Sequence, residues 1–195
     1  MEAAPALPGT VSPKLASLSA RAIAFVVDSV LLFTFLAVAA FAAGLQLLVR
    51  SDFGEAADPP DSAYYAVLGV CLAVVPVWGI LNAMLLHWRG QSAGQYVAGI
   101  RVVRLDGGPP TWGTVIARLL VLHPLLFHPL LAPGWLLVAF IVTAQTFSFA
   151  VLVVTGALVL LSMVAPIVAA VTILADRERR ALHDRVAGTI VVPIG

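Results

Sequence analysis

Residues 18–49 read LSARAIAFVVDSVLLFTFLAVAAFAAGLQLLV, an almost unbroken apolar run of 32 residues. A hydrocarbon core about 30 Å thick needs only about 20 helical residues, so the surplus predicts a tilted helix or an interfacial first turn. Two charged residues interrupt the run. Arg21 stands at its leading edge, where a long side chain can reach the headgroups, and Asp28 follows seven positions later. Seven residues are nearly two helical turns, which puts both side chains on one face, about 10 Å apart along the axis. A carboxylate within a membrane helix costs about 2.5–3.5 kcal/mol on insertion scales. The rest of the chain must therefore supply compensation.

The composition agrees with a membrane protein. Of 195 residues 61% are hydrophobic and 11% charged, and the mean hydropathy is +1.03. A soluble domain of this size has no use for so much apolar surface. The formal charge of +1 identifies no partner, and a single cysteine, Cys71, excludes an intramolecular disulfide and reads as a packing residue. Residues 1–17 carry several prolines and precede a run far longer than a signal-peptide core. They read as a disordered cytoplasmic tail.

After the first run, RSDFGEAADPPDS (residues 50–62) is acidic and carries turn residues. A second run, 64–88, has Tyr64, Tyr65 and Trp88 at its ends, as interfacial anchors do, and Arg89, Arg101, Arg104 and Arg118 follow it. Basic residues thus flank the start of run one and the end of run two. The positive-inside bias places the N-terminus and residues 89–114 in the cytoplasm, and the acidic loop outside.

Within that cytoplasmic stretch Gln91–Ala98 reads as a short turn or helix. Residues 99–105 alternate and are β-branched, as in a strand, and Asp106-Gly107-Gly108-Pro109-Pro110 is a tight turn. Ala187-Gly-Thr-Ile-Val-Val192 repeats the pattern of Ala98-Gly-Ile-Arg-Val-Val103. The two strands are expected to pair. Residues 115–175 contain no acid and nothing basic after Arg118, while residues 176–195 are again rich in arginine. An even number of further crossings keeps that end inside. Either Val115–Leu131 is interfacial or re-entrant with two spans after it, or it joins Trp135–Thr143 as one kinked helix. The expected architecture is an all-α membrane protein with about four transmembrane helices and a small cytoplasmic β-hairpin-like element. Its spans cover about 18–49, 64–88 and two stretches within 115–175, with cytoplasmic segments at 89–114 and 176–195.

Three motifs in this order resemble the RDD family of small bacterial membrane proteins. They are Arg21-Ala-Ile-Ala-Phe-Val-Val-Asp28; Gly90-Gln-Ser-Ala-Gly-Gln-Tyr-Val-Ala-Gly-Ile-Arg-Val-Val103, with Gln95 where lysine is common; and Leu182-His-Asp-Arg-Val-Ala-Gly-Thr-Ile-Val-Val192. The resemblance spans roughly residues 17–192, so 18–192 is expected to form one RDD-type domain. It implies that Arg21, Asp28 and Asp184 are the family's arginine and two aspartates. It also implies an inner-membrane location and, through some relatives, sodium/proton exchange.

On the residues themselves, Asp184 follows the last apolar run and belongs at the level of Arg21, so an Arg21–Asp184 pair is expected to tie the C-terminal segment to the first helix. That pair is either a clamp on the fold or part of a working site. Asp28 lies too deep for an easy surface partner. It is read either as a proton or cation site or as a hydrogen-bonded acid joining two helices, with Asn82 the first neighbour to test. His183, beside Asp184, is a helper that can titrate near neutral pH or bond locally. His123 and His128, in the repeat LHPLL-FHPLL, diverge by about 140° on a straight helix and cannot jointly chelate a metal. No catalytic constellation, metal site, cofactor motif or nucleic-acid patch is present. The chain reads as a non-enzyme whose partners are the bilayer and a second protein or copy of itself. Two functions stand: cation/proton transport through Asp28, or a non-catalytic scaffold that docks a partner.

Overall fold

The first apolar run forms one helix, α1 (Leu18–Arg50), in a computed structural model that describes residues 15–55, 61–123, 127–146, 148–176 and 179–194. Its residues are mostly Leu, Ala, Val and Phe, with no proline, so nothing interrupts the hydrogen-bond ladder. Ser17 caps its start by accepting from the Ala20 N–H at 3.1 Å. It stops where Asp52, Phe53 and Gly54 all take positive φ. Readings made on residues 1–14, on Pro59-Pro60 and on the Tyr64 and Cys71 side chains lie outside the described structure.

The chain continues as α2 (Asp61–Arg89), α3 (Ala93–Val97), β1 (Ile100–Arg104), α4 (Trp112–Leu120), a 3-10 turn Pro129–Leu131, α5 (Ala132–Thr146), α6 (Phe149–Ala175), α7 (Leu182–Val186) and β2 (Thr189–Pro193). The protein is mostly helical. Helices α1 and α6 are long and apolar enough to cross a membrane, and α5 is a shorter apolar helix. Large apolar side chains such as Val26, Phe33, Phe41, Leu160 and Ile167 point outward from α1 and α6, as lipid-facing residues do. One expectation needs correction. Residues 115–143 do not make a single kinked helix, because α4 ends at Leu120 and Val121 and Leu122 leave the helical conformation.

Strands β1 and β2 pair antiparallel, with Val102 opposite Val191 at the centre. They are not a hairpin, since α4, α5, α6 and α7 separate them in sequence. Each strand belongs to the same small unit: a five-residue helix, an alanine, a glycine with φ near +60° (Gly99 +64°, Gly188 +62°), then the strand. The positive φ is why glycine stands at both corners. Antiparallel pairing centred on equivalent valines relates the two units by an approximate two-fold axis. The outer edge of β1 is occupied by the Gly90 carbonyl, which accepts from Val102 at 2.7 Å. That of β2 is occupied by Ala16, whose N–H donates to Val191 at 2.9 Å. Neither edge is left open for aggregation.

A buried cluster of Ala24, Leu86, Ile100, Val102, Val115 and Val191 joins this cap to α1, α2 and α4. A second, formed by Leu32, Trp78 and Leu131, lies further along α1. The helices group as two pairs, α1 with α2 and α5 with α6.

Candidate functional site

Asp184 organises the centre of the cap. It is the third residue of α7, and its Oδ2 accepts from the Ala181 N–H at 3.2 Å, closing the first turn on itself. The same carboxylate receives two arginines. Arg21 Nη1 of α1 approaches Oδ2 at 3.2 Å, and Arg118 Nη1 of α4 bonds to Oδ1. Arg118 Nη1 also donates to Thr189 Oγ1 at 3.0 Å, and that hydroxyl lies 3.3 Å from Asp184 Oδ1. Asp184 has no exposed side-chain surface, Arg118 has 4% and Arg21 has 10%. Four segments of the chain therefore converge on one carboxylate.

Two histidines complete the cluster. The ring of His183 packs against that of His123, tilted by 49° with centroids 4.3 Å apart, and His123 Nε2 accepts from Arg118 Nε at 3.3 Å. Burial pushes both imidazoles well below their ordinary value, and the nearby guanidiniums push the same way. Both are neutral at physiological pH. Burial also lowers Arg118, against the raising effect of Asp184, but a guanidinium keeps its proton in this range. Two guanidiniums thus share one carboxylate, an excess of one positive charge. Arg21 carries it visibly: its Nε and Nη2 are buried and have no hydrogen-bond partner among the described residues.

Asp28 has a different kind of environment. Ser92 Oγ donates to Oδ2 at 2.6 Å and the Gly94 N–H donates to Oδ1 at 2.8 Å. Both donors come from the start of α3, where Ser92 and Gln95 form a reciprocal capping box. Gly94 allows the contact, because a Cβ there would overlap the Ala24 carbonyl and come within 2.8 Å of Asp28 Cγ. The acid expected to lack an easy partner is held by neutral donors of the Gly90–Val103 motif. Asn82 is not that partner. It is buried in α2 and donates to the Trp78 carbonyl at 3.0 Å.

A cavity of about 310 Å³ joins the two aspartate environments. Arg21, Asp28, Arg118, His123 and His183 line it, with Leu18, Phe25, Ala169 and Ile173 among its apolar walls. His128 stands apart from His123: its Nε2 lies 2.8 Å from Ser29 Oγ and its ring stacks on Phe25. Among the described residues no group of three or more His, Cys, Asp or Glu is placed to hold a metal.

Sequence reasoning treated Arg118 as a topological marker and did not group Ser92, Gly94, His123 or Thr189 with the aspartates. Arg118 had one legible signal. It is three residues from Val115 and adjacent to Leu119, within the buried stripe of a strongly amphipathic helix. A lone charge in an apolar stripe requires a buried counter-charge.

The sequence model described as RDD family matches residues 15–188. No curated protein and no solved structure matches the chain.

Proposed function

This chain belongs to the RDD family, and we propose that it is a non-catalytic membrane module whose two aspartates fasten a folded cap to the ends of its helices. The observation that carries this reading is that both acids are held by donors of the chain itself. Asp28 accepts two close hydrogen bonds, and Asp184 is shared by two arginines, a hydroxyl and a backbone amide. An acid held on each oxygen by donors of its own chain serves as a structural acceptor, and those donors already offset part of its charge.

We place the protein in the cytoplasmic membrane with α1, α2, α5 and α6 as four crossings and the cap inside. The 33 residues of α1 are about 50 Å long, some 20 Å more than the hydrocarbon core. With Arg50 at the outer interface and α1 tilted by about 30°, a 30 Å core takes up about 23 residues and ends near residue 27, so Asp28 falls at the inner boundary and Arg21 about 8 Å beyond it, at headgroup depth. The exposed Trp88, Tyr96 and Trp112 suit the same level. In this reading the cap meets a protein partner or a second copy of the chain. The test is a photo-crosslinking residue at Tyr96 or Arg101 in native membranes. A discrete protein adduct, absent when the probe is at lipid-facing Phe41, is expected; no adduct at either cap position overturns the docking role.

Cation/proton transport is the second reading, and one observation favours it: Asp28 borders a cavity that also reaches two arginines and two histidines. In proteoliposomes a transporter dissipates an imposed pH gradient when sodium or potassium is added, and Asp28→Asn removes that response. A gradient unaffected by either cation ends this reading.

A further inference from the structure

The cavity lies between the two helix pairs. Helix α1 packs on α2 and α3, while α6 packs on α5 and on the Pro129–Leu131 turn. Between them Leu18, Ala22 and Phe25 of α1 face Pro166, Ala170 and Ile173 of α6 across about 310 Å³. The walls are apolar apart from Asp28 and Gln95, and the arginines and histidines gather towards the cap.

That end is unbalanced. Among the described residues Asp184 is the only carboxylate bonded to Arg21 and Arg118, and the two histidines beside it are neutral. Arg118 is committed to Asp184, Thr189 and His123. Arg21 uses a single nitrogen, and its remaining two are buried and have no partner among the described residues, in a side chain that lines the cavity. A buried donor left without an acceptor bears its full desolvation cost, and the more so when charged. An anion is the group that would satisfy it. Asp28 also borders the cavity, but it stands about 10 Å further along α1, and Ser92 and Gly94 occupy its two oxygens.

We propose that the cavity between α1 and α6 binds a phosphate anion through Arg21, and that in the membrane this is the headgroup of an anionic phospholipid with an acyl chain against the apolar walls. A guanidinium presents a planar fork of donors that fits phosphate oxygens in pairs. The apolar walls suit an acyl chain and give a free inorganic ion nothing to gain. The proposal deepens the reading of this chain as a membrane module, since the lipid would seal the gap between its halves, but it needs no protein partner. A failed crosslinking experiment at Tyr96 or Arg101 leaves it standing.

The experiment uses the full chain purified in a non-ionic detergent. Its melting temperature is measured with added dioleoyl phosphatidic acid or phosphatidylglycerol, with phosphatidylcholine of the same chains, and with sodium phosphate. Saturating an anionic lipid is expected to raise the midpoint by about 3 °C or more, with little change from phosphatidylcholine. Ala170→Phe fills the cavity from the α6 wall without touching a charge. It should abolish the lipid shift while the lipid-free midpoint stays within about 2 °C. Arg21→Lys keeps the charge but removes the fork, and should reduce the shift by about half or more. Equal shifts from anionic and zwitterionic lipid, an undiminished shift in Ala170→Phe, or no shift from any lipid overturns the proposal. A rise with sodium phosphate equal to that with anionic lipid overturns the lipid assignment in favour of the free ion.

Discussion

Asp184 faces two guanidiniums and has no exposed side-chain surface of its own. Its removal is therefore costly out of proportion to its size. Asp184→Asn preserves the shape but leaves Arg21 and Arg118 buried without a counter-charge, and breaking such a pair typically costs about 3–5 kcal/mol. Chemical unfolding in detergent should show a loss of that order. Arg118→Met combined with Asp184→Leu should recover part of it, because Arg21 alone is then left without a counter-charge. A second expectation concerns the paired histidines His123 and His183. Both are neutral in the folded chain, while in the unfolded chain each titrates near 6.5. Below that value the unfolded state binds protons that the folded state does not, so stability is complete above it and falls on acidification. The slope approaches about 1 kcal/mol per histidine for each pH unit below about 6. The melting midpoint should drop between pH 7.5 and 5.5, and drop less in His183→Asn. An equal drop in that variant would assign the acid sensitivity to other groups.

The working element of this fold is the five-residue helix followed by alanine, glycine and strand, used twice. A helix so short has no stability of its own, so each copy is anchored by an acid. In the first copy Asp28 on α1 receives Ser92 and Gly94 from the helix start; in the second, Asp184 lies within the short helix and receives Arg21 and Arg118. The first copy depends on backbone contact at Gly94. Gly94→Ala is expected to push α3 off α1 and to cost about 1–3 kcal/mol, the usual range for overpacking. Limited trypsin digestion should then cut faster at Arg101 and Arg104. Gly113→Ala is the control, because its new Cβ would meet only Thr111 Oγ1, at 4.0 Å.

At the scale of the whole molecule, the long helices form two pairs and the cap straps the pairs together. β1 follows the first pair, β2 follows the second, and α4 passes Arg118 between them. The proposed orientation has a direct check in single-cysteine variants on a Cys71→Ser background. Phe53→Cys, after α1, and Arg101→Cys, in β1, are both exposed positions. A membrane-impermeant maleimide applied to intact cells should label the first and spare the second, and inverted vesicles should show the opposite. Labelling of both from one side would refute the arrangement.

The sequence by itself determined the helical class, the family and the two small strands. Those follow from local signals: apolar runs too long for a soluble core, alternation of β-branched residues, and a repeated Ala-Gly corner that needs positive φ. It also brought Arg21 and Asp184 together on paper, because both had to lie at the same end of the helices. Only the tertiary structure decided what Asp28 touches. Ser92 and Gly94 are ordinary N-terminal residues of a short helix, and their donors become partners of a distant acid through a backbone approach that leaves no mark beyond one glycine. Arg118 and His123 escaped for the same reason. A buried charge declares in sequence that it needs a partner, but the partner is chosen by packing between segments far apart in the chain.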